Sequence, residues 1–371
     1  MRHQNQFGSS LGFTFRMDEY LSLLRGSVMP STIRGYLPKA KRLKAYFNTT
    51  PLSEICQTDI LKYRQHFSHL SNKTLREDQS LLNRVFELAI ADGLIDRNPI
   101  KGIAKLRLSG NQADPFTRAE LELIIKHSPE NDIYADISLL CSYTGLRVSE
   151  AIALAYEDID WQNRLLRVQR AAVLGEYKIT KTDGSERDVE INELAFELLR
   201  KIQHRTENRQ VRTISVLQLD KKTRKKVHVR FLFYRPQSRK VFTDSRNLAN
   251  GYKKVLMRAG VRHRGISQTR HTFASQAITA GVNLHWLAAQ LGHSDTTMIY
   301  RHYGKFIKDD NRNQSSLLTH HLRRQESAPA ESGLRSKDDN DEQDILILAK
   351  FLSSNRGIRE LVDALKTKDE S

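Results

Sequence analysis

Apolar residues recur three and four apart through most of the first hundred positions, the spacing that gathers them on one face of a helix. Phe15 to Leu24, Thr32 to Phe47, Thr58 to Phe67 and Thr74 to Ile90 carry this pattern, with Pro38 expected to interrupt the second. Thr50-Pro51 separates the second helix from the third, and Gly93 followed by Asn98-Pro99 closes the fourth. The pattern predicts an all-helical domain over residues 1–105. Residues 106–115, ending at Asp114-Pro115, have little periodicity and read as a linker.

A second domain, expected over 116–325, mixes two periods. Thr117 with Glu120 three residues on forms a capping-box pattern ahead of Leu121, Leu123, Ile124 and Ile125. A helix over Ile133 to Tyr143 follows, then a shorter one over Arg147 to Leu154. Alternation then takes over: Leu165 to Gln169, Tyr177 to Thr180 and Arg187 to Ile191 predict a three-stranded antiparallel sheet, with Asp183-Gly184 as its tightest turn. Helical spacing returns at Glu193 to Ile202, Leu248 to Ala259, Thr269 to Ala280, Leu284 to Leu291 and Thr296 to Tyr303. Between the first two of these lies a basic stretch, DKKTRKKVHVRFLFYRPQ, placed either to touch phosphate or to extend a hairpin. The fold class expected is mainly α with a small antiparallel β-sheet, an all-helical N-terminal domain plus an α+β domain. Residues 326–371 form a separate tail: 326–343 read as a disordered linker, and Ile345 to Leu365 as one or two amphipathic helices.

Length agrees with two domains, because 371 residues exceed the roughly 250 to 300 at which one core stops growing. Charge adds function: a net +17 and a pI near 9.8 favour a polyanionic partner, nucleic acid first. The tail is the exception, with 11 acids against 7 bases. The N-terminus lacks a basic-then-apolar signal and no long uncharged apolar run occurs, so a cytoplasmic, nucleoid-associated protein is expected, with no membrane partner. Cys56 and Cys141 stand far apart and outside metal-ligand spacings, so both read as buried thiols, with no disulfide scaffold and no metal site.

Three segments and one strand-end lysine can carry chemistry. Thr144-Gly145-Leu146-Arg147-Val148-Ser149-Glu150 sets an arginine after a glycine turn, with Glu150 one helical turn later. A planar guanidinium there can fork onto two phosphate oxygens, although the pair alone also reads as an ordinary surface ion pair. Gly265-Ile266-Ser267-Gln268-Thr269-Arg270-His271 puts a second arginine and a histidine at another helix start. Leu291-Gly292-His293-Ser294-Asp295 places a histidine in a turn, followed by Tyr300 and Tyr303 on the next helix. Lys181 lies at a strand end beside Asp183-Gly184, from which an ammonium can reach a ligand or simply stay solvated.

Taken in order, TGLRVSE, TRHTFAS and QLGHSD closely resemble the motifs of the tyrosine recombinase (phage integrase) family over about residues 13 to 310. The resemblance implies a SAM-like helical core-DNA-binding domain, a catalytic domain and site-specific DNA strand exchange. In that chemistry a tyrosine attacks the scissile phosphate and leaves a 3′-phosphotyrosyl bond with a free 5′-hydroxyl. It assigns Arg147 and Arg270 to the phosphate, Lys181 to protonation of the leaving oxygen, His293 to a phosphate hydrogen bond and Tyr303 to attack. Glu150 and His271 become supporting residues. Preorganised cations meet the charge that develops on the phosphate, so no cofactor is called for.

The match departs at one position and is ambiguous at another. Ser267 stands where the family usually has histidine, so His271, water or Lys181 must cover that duty. Tyr300 and Tyr303 both follow His293 on one helix, and the resemblance implies Tyr303, because it stands at the distance from His293 that is usual in the family. In the helical domain Arg34, Lys39, Lys41, Arg42, Lys44, Lys73 and Arg76 could track a DNA backbone or form a solvated basic face. The resemblance implies double-stranded DNA as partner, a homotetramer on that DNA from a monomer in solution, and a host DNA-bending protein and an excision factor as further candidates. Asn311 to Leu322 is the candidate for a segment that docks in a neighbouring protomer, and no separate arm-binding domain is expected. An integrase of a prophage or genomic island is the leading reading. A resolvase of chromosome or plasmid dimers, or a catalytically silent DNA-binding regulator supported only by Ser267, are the alternatives.

Overall fold

Phe13, Met17 and Leu21 are buried at helical spacing and form the inner face of α1 (Phe13–Leu23). The computed structural model describes residues 12–108, 113–180, 186–206, 208–236, 238 and 240–310. Within it, α1, α2 (Pro30–Phe47), α3 (Gln57–His66) and α4 (Asn72–Ala91) close around one core that includes Leu43, Phe47, Ile60, Tyr63, Leu82 and Phe86. Pro38 does not interrupt α2, contrary to expectation. It and Arg34 are exposed, so the carbonyl that loses its amide donor lies on the solvent side, where water can replace the missing bond. Cys56 likewise departs from the expected buried thiol: it is exposed at the N-cap of α3, with Sγ 3.2 Å from Asp59.

A carboxylate lies inside this core. Asp78, on the inner face of α4, is fully buried and receives Arg42 Nη2 at 2.6 Å, Arg42 Nε at 3.1 Å and Tyr63 Oη at 2.8 Å. A buried carboxylate survives only with such partners.

In the second part of the chain, α5 (Arg118–His127) starts at the expected capping box, with Thr117 N donating to Glu120 Oε2 at 2.9 Å and Glu120 N to Thr117 Oγ1 at 3.2 Å. The next helix, α6 (Ile133–Thr144), is buried along most of its length and is the axis of this part. It ends at Gly145 in the left-handed conformation, and α7 (Val148–Ala151) is a single turn after it. Five short strands follow: β1 (Ile159–Asp160), β2 (Leu165–Val168), β3 (Arg170–Val173), β4 (Glu176–Ile179) and β5 (Arg187–Glu190). Then come α8 (Glu193–Thr206), β6 (Arg212–Leu217), β7 (Arg224–Val229), α9 (Ala249–Arg258), α10 (Gln268–Thr279), α11 (Leu284–Leu291) and α12 (Thr297–Asp310). Helices α8, α9 and α10 all pack on α6.

The strands expected in one sheet are divided between two. β2 pairs antiparallel with β1 and β5, with Leu165 opposite Glu190 and Val168 opposite Arg187. β4 instead folds back on β3, and the basic insert completes that second sheet: β6 runs parallel to β4, and β7 antiparallel to β6. The switch is made by a two-residue turn at Leu174-Gly175, both with positive φ (52° and 86°), the geometry of a type I′ hairpin. Leucine is no turn signal, which hid this hairpin from the sequence pattern.

This second sheet also meets the helical bundle. Arg34 pairs with Glu176 at 2.7 Å and donates to Leu174 O, Lys178 Nζ reaches Ser31 Oγ at 3.0 Å, and Lys221 Nζ reaches Ser27 O at 2.7 Å. The described residues all fall within one compact unit. The docking segment expected over Asn311 to Leu322, the linker over 326–343 and the terminal helices lie outside the described residues, as do Lys181 and Asp183-Gly184. Among the described residues no helix is long and apolar enough to cross a membrane.

Candidate active site

The site is assembled where three chain turns meet. Gly145, with φ 71°, ends α6 so tightly against α10 and α11 that a Cβ there would lie 2.6 Å from the Phe273 ring and 2.8 Å from Leu291. Only glycine satisfies both the backbone and the space. The chain then delivers Arg147, whose Nη1 pairs with Glu150 Oε1 at 2.8 Å while its own amide donates to Glu150 Oε2 at 2.9 Å. Arg147 stays 42% exposed, whereas the Glu150 side chain is 3% exposed.

Arg270, on the first turn of α10, ties the turns together. Its Nη1 donates to Gly145 O at 2.7 Å, and its Nη2 to Leu291 O at 2.5 Å and to His293 Nε2 at 3.0 Å. Since Arg270 must be the donor, His293 accepts through Nε2 and is neutral there, with its proton on Nδ1. Burial, then the charge of Arg270, pulls His293 down to about 4. Burial, then the charge of Arg147, pulls Arg270 down to about 9, so it remains cationic at neutral pH. Burial would lift the Glu150 carboxyl, but Arg187, Arg147 and Arg270 hold it below the ordinary carboxylate range. The pocket is thus a cluster of guanidiniums around one carboxylate, a field whose cost an incoming anion relieves.

The two tyrosines separate cleanly. Tyr303 is 3% exposed, and its Oη lies 2.6 Å from His271 Nδ1. Burial lifts its phenol to about 12, and Arg270 opposes the rise. Tyr300, three residues earlier, is 55% exposed. Ser267 is exposed at the start of α10 and makes no side-chain cap bond there. His271 is held below the ordinary imidazole range by burial, then by His302 and Arg270, so it is neutral at pH 7.

Arg187 belongs to this cluster and was missed in the sequence pattern. At 7% side-chain exposure it donates Nη2 to Glu150 Oε2 at 3.0 Å and Nε to Gln290 O at 2.9 Å. A signal existed, since Arg187 stands two residues before the buried Val189 and shares its strand face, so a charge points inward.

The basic residues of the helical domain have different surroundings. Arg34 pairs with Glu176, Arg42 with Asp78, Lys44 with Asp18 at 2.8 Å and Lys39 with Glu77 at 3.0 Å. Lys41, Lys73 and Arg76 are exposed.

A profile of the phage integrase family matches residues 115–306, and one of the phage integrase SAM-like domain matches residues 13–106. IntQ of Escherichia coli strain K12, whose name calls it a defective protein, is 31% identical over 67% of this chain and 64% of its own length. The prophage integrase IntR of the same strain is 29% identical over 74% of this chain and 71% of its own. Among solved structures, the Tn1549 transposon integrase in complex with transposon right-end DNA superposes with a TM-score of 0.69 at 21% identity, over 83% of this chain and 99% of that one. The lambda integrase tetramer on a Holliday junction gives 0.61 at 15% identity, over 79% and 80%. Both structures share the fold of this chain.

Proposed function

The chain belongs to the phage integrase family, and on that premise we propose that it is a site-specific tyrosine recombinase that integrates or excises a mobile element such as a prophage or genomic island. One observation carries the reading: Arg270 binds Gly145 O, Leu291 O and His293 Nε2 at once. Residues scattered over a long stretch of sequence are thereby gathered into one cationic pocket, the arrangement that phosphate attack requires.

In the proposed reaction Tyr303 Oη attacks phosphorus as its proton passes to His271 Nδ1, 2.6 Å away. Arg147 and Arg270 hold the non-bridging oxygens while the bond to the 5′-oxygen breaks. Lys181 supplies the proton to that oxygen. The products are a 3′-phosphotyrosyl bond and a free 5′-hydroxyl, and rejoining reverses the step with a 5′-hydroxyl from another strand. One phosphodiester is exchanged for another, so no external energy source is needed. His271 takes the place that Ser267 cannot fill. The proposed working assembly is a homotetramer bridging two duplexes, with Lys41, Lys73 and Arg76 contacting backbone phosphate.

The test is a plasmid carrying the two ends of the element in direct orientation, incubated with the purified protein. Recombination should delete the intervening segment and yield two circles with joined ends. Binding to both ends without any rearranged product, on ends proven active in the host and with host extract added, would contradict the reading.

A further inference from the structure

Glu150 is wedged among Arg147, Arg187 and Arg270, and its side chain is only 3% exposed, so water cannot screen its charge. If Arg147 alone answered that carboxylate, its guanidinium would be committed to an internal pair. Arg187 changes the balance by offering two nitrogens, Nη2 at 3.0 Å from Oε2 and Nη1 at 3.4 Å from Oε1. Arg147 then keeps its outward exposure.

Arg187 also reaches the turn that presents His293. Its Nε holds Gln290 O at 2.9 Å, and a Cβ on Gly292 would lie 2.9 Å from its Nη1, so only glycine fits beneath it. Gln290 reinforces the same join, accepting from Glu190 N at 3.1 Å and donating to Glu190 O at 2.8 Å. The first residue of β5 therefore touches both walls of the pocket.

We propose that Arg187 is a positioning residue that neutralises buried Glu150 and seats the Gly292 turn, leaving Arg147 available and His293 in place for the scissile phosphate, without touching DNA itself. This rests on the recombinase reading above. Most of the harm in an Arg187 variant comes from the carboxylate left behind, which captures Arg147.

The experiment is single-turnover cleavage of a nicked suicide duplex carrying a verified recombination site, at saturating protein, with duplex binding measured in parallel. Arg187→Met should cleave about 100-fold more slowly than the native protein while binding the duplex equally well, as for loss of one stabilising group at a phosphate-type transition state. Arg187→Lys should recover part of the rate. Arg187→Met/Glu150→Gln should cleave about tenfold faster than Arg187→Met, because removing the unpaired charge releases Arg147. A merely structural arginine would show no such rescue. Should Arg187→Met fail to fold, the double variant is compared with Glu150→Gln alone: a loss well below 100-fold supports the proposal, and a loss of about 100-fold or more overturns it. A double variant no faster than Arg187→Met, or an Arg187→Met rate equal to the native one, overturns it too. Native protein that fails to cleave would remove the recombinase reading itself, a result distinct from any of these.

Discussion

His271 Nδ1 lies 2.6 Å from Tyr303 Oη, joining a helix that starts beside the phosphate pocket to the helix that carries the tyrosine. Burial, then His302 and Arg270, hold this imidazole below its ordinary value of 6.5, so the proton-accepting form persists into mild acid. The cleavage rate should therefore be flat around neutral pH and fall only below 6.5. His271→Ala should cost about 100-fold and lose that acid limb. Rate against pH for both proteins checks this, and an unchanged limb in the variant would assign the titration elsewhere.

His293 makes a stability prediction with a definite sign. In the fold it titrates near 4, against 6.5 for an ordinary histidine, so between those values the unfolded chain binds more protons. Its contribution is complete above the higher value and lost as pH falls toward the lower one. Urea midpoints at neutral pH and in mild acid should therefore fall more in the native protein than in His293→Gln. Equal falls would show that the imidazole is not what titrates.

Gly145→Ala and Gly175→Ala separate conformation from crowding. Both glycines have positive φ, but only at Gly145 would the new methyl enter an occupied space, 2.6 Å from Phe273. Gly175→Ala should cost about 1 kcal/mol, the left-handed penalty alone. Gly145→Ala should cost more than about 2 kcal/mol and also slow cleavage, since Arg270 hangs on the Gly145 carbonyl. Denaturation midpoints and cleavage rates decide.

These positions also show how much was legible in the sequence. Helices read well because burying one face demands three-and-four spacing, and Leu284 to Leu291 was expected with its observed ends. The Thr117 capping box was equally plain, because it is local chemistry between residues three apart. Gly145, Arg147, Arg270, His293 and Tyr303 stood out through resemblance to the family's motifs, since each is a weak signal alone, and the structure brings their elements together. What escaped was pairing at a distance. Nothing in the local pattern says that the Arg42 charge is taken by Asp78, that Arg34 meets Glu176, or that Leu174 adopts positive φ and sends β4 into another sheet.

Arg42 and Lys73, alike in the sequence reading, should behave differently. Arg42→Ala strands the buried carboxylate of Asp78 and should cost about 3 kcal/mol. Lys73→Ala, at an exposed position, should change stability by less than about 0.5 kcal/mol, yet lower DNA affinity across sequences and reduce the salt slope by about 1. Urea unfolding with DNA titrations at several salt concentrations tests the contrast. A large stability loss in Lys73→Ala would remove it from the proposed DNA face.

The central claim is that Tyr303, and not its exposed neighbour Tyr300, becomes bonded to DNA. The most direct measurement is covalent trapping on a suicide duplex bearing a verified site, resolved under denaturing conditions. The account predicts an SDS-resistant protein–DNA adduct with the native protein and with Tyr300→Phe, and none with Tyr303→Phe. An adduct that survives Tyr303→Phe and disappears in Tyr300→Phe would contradict it.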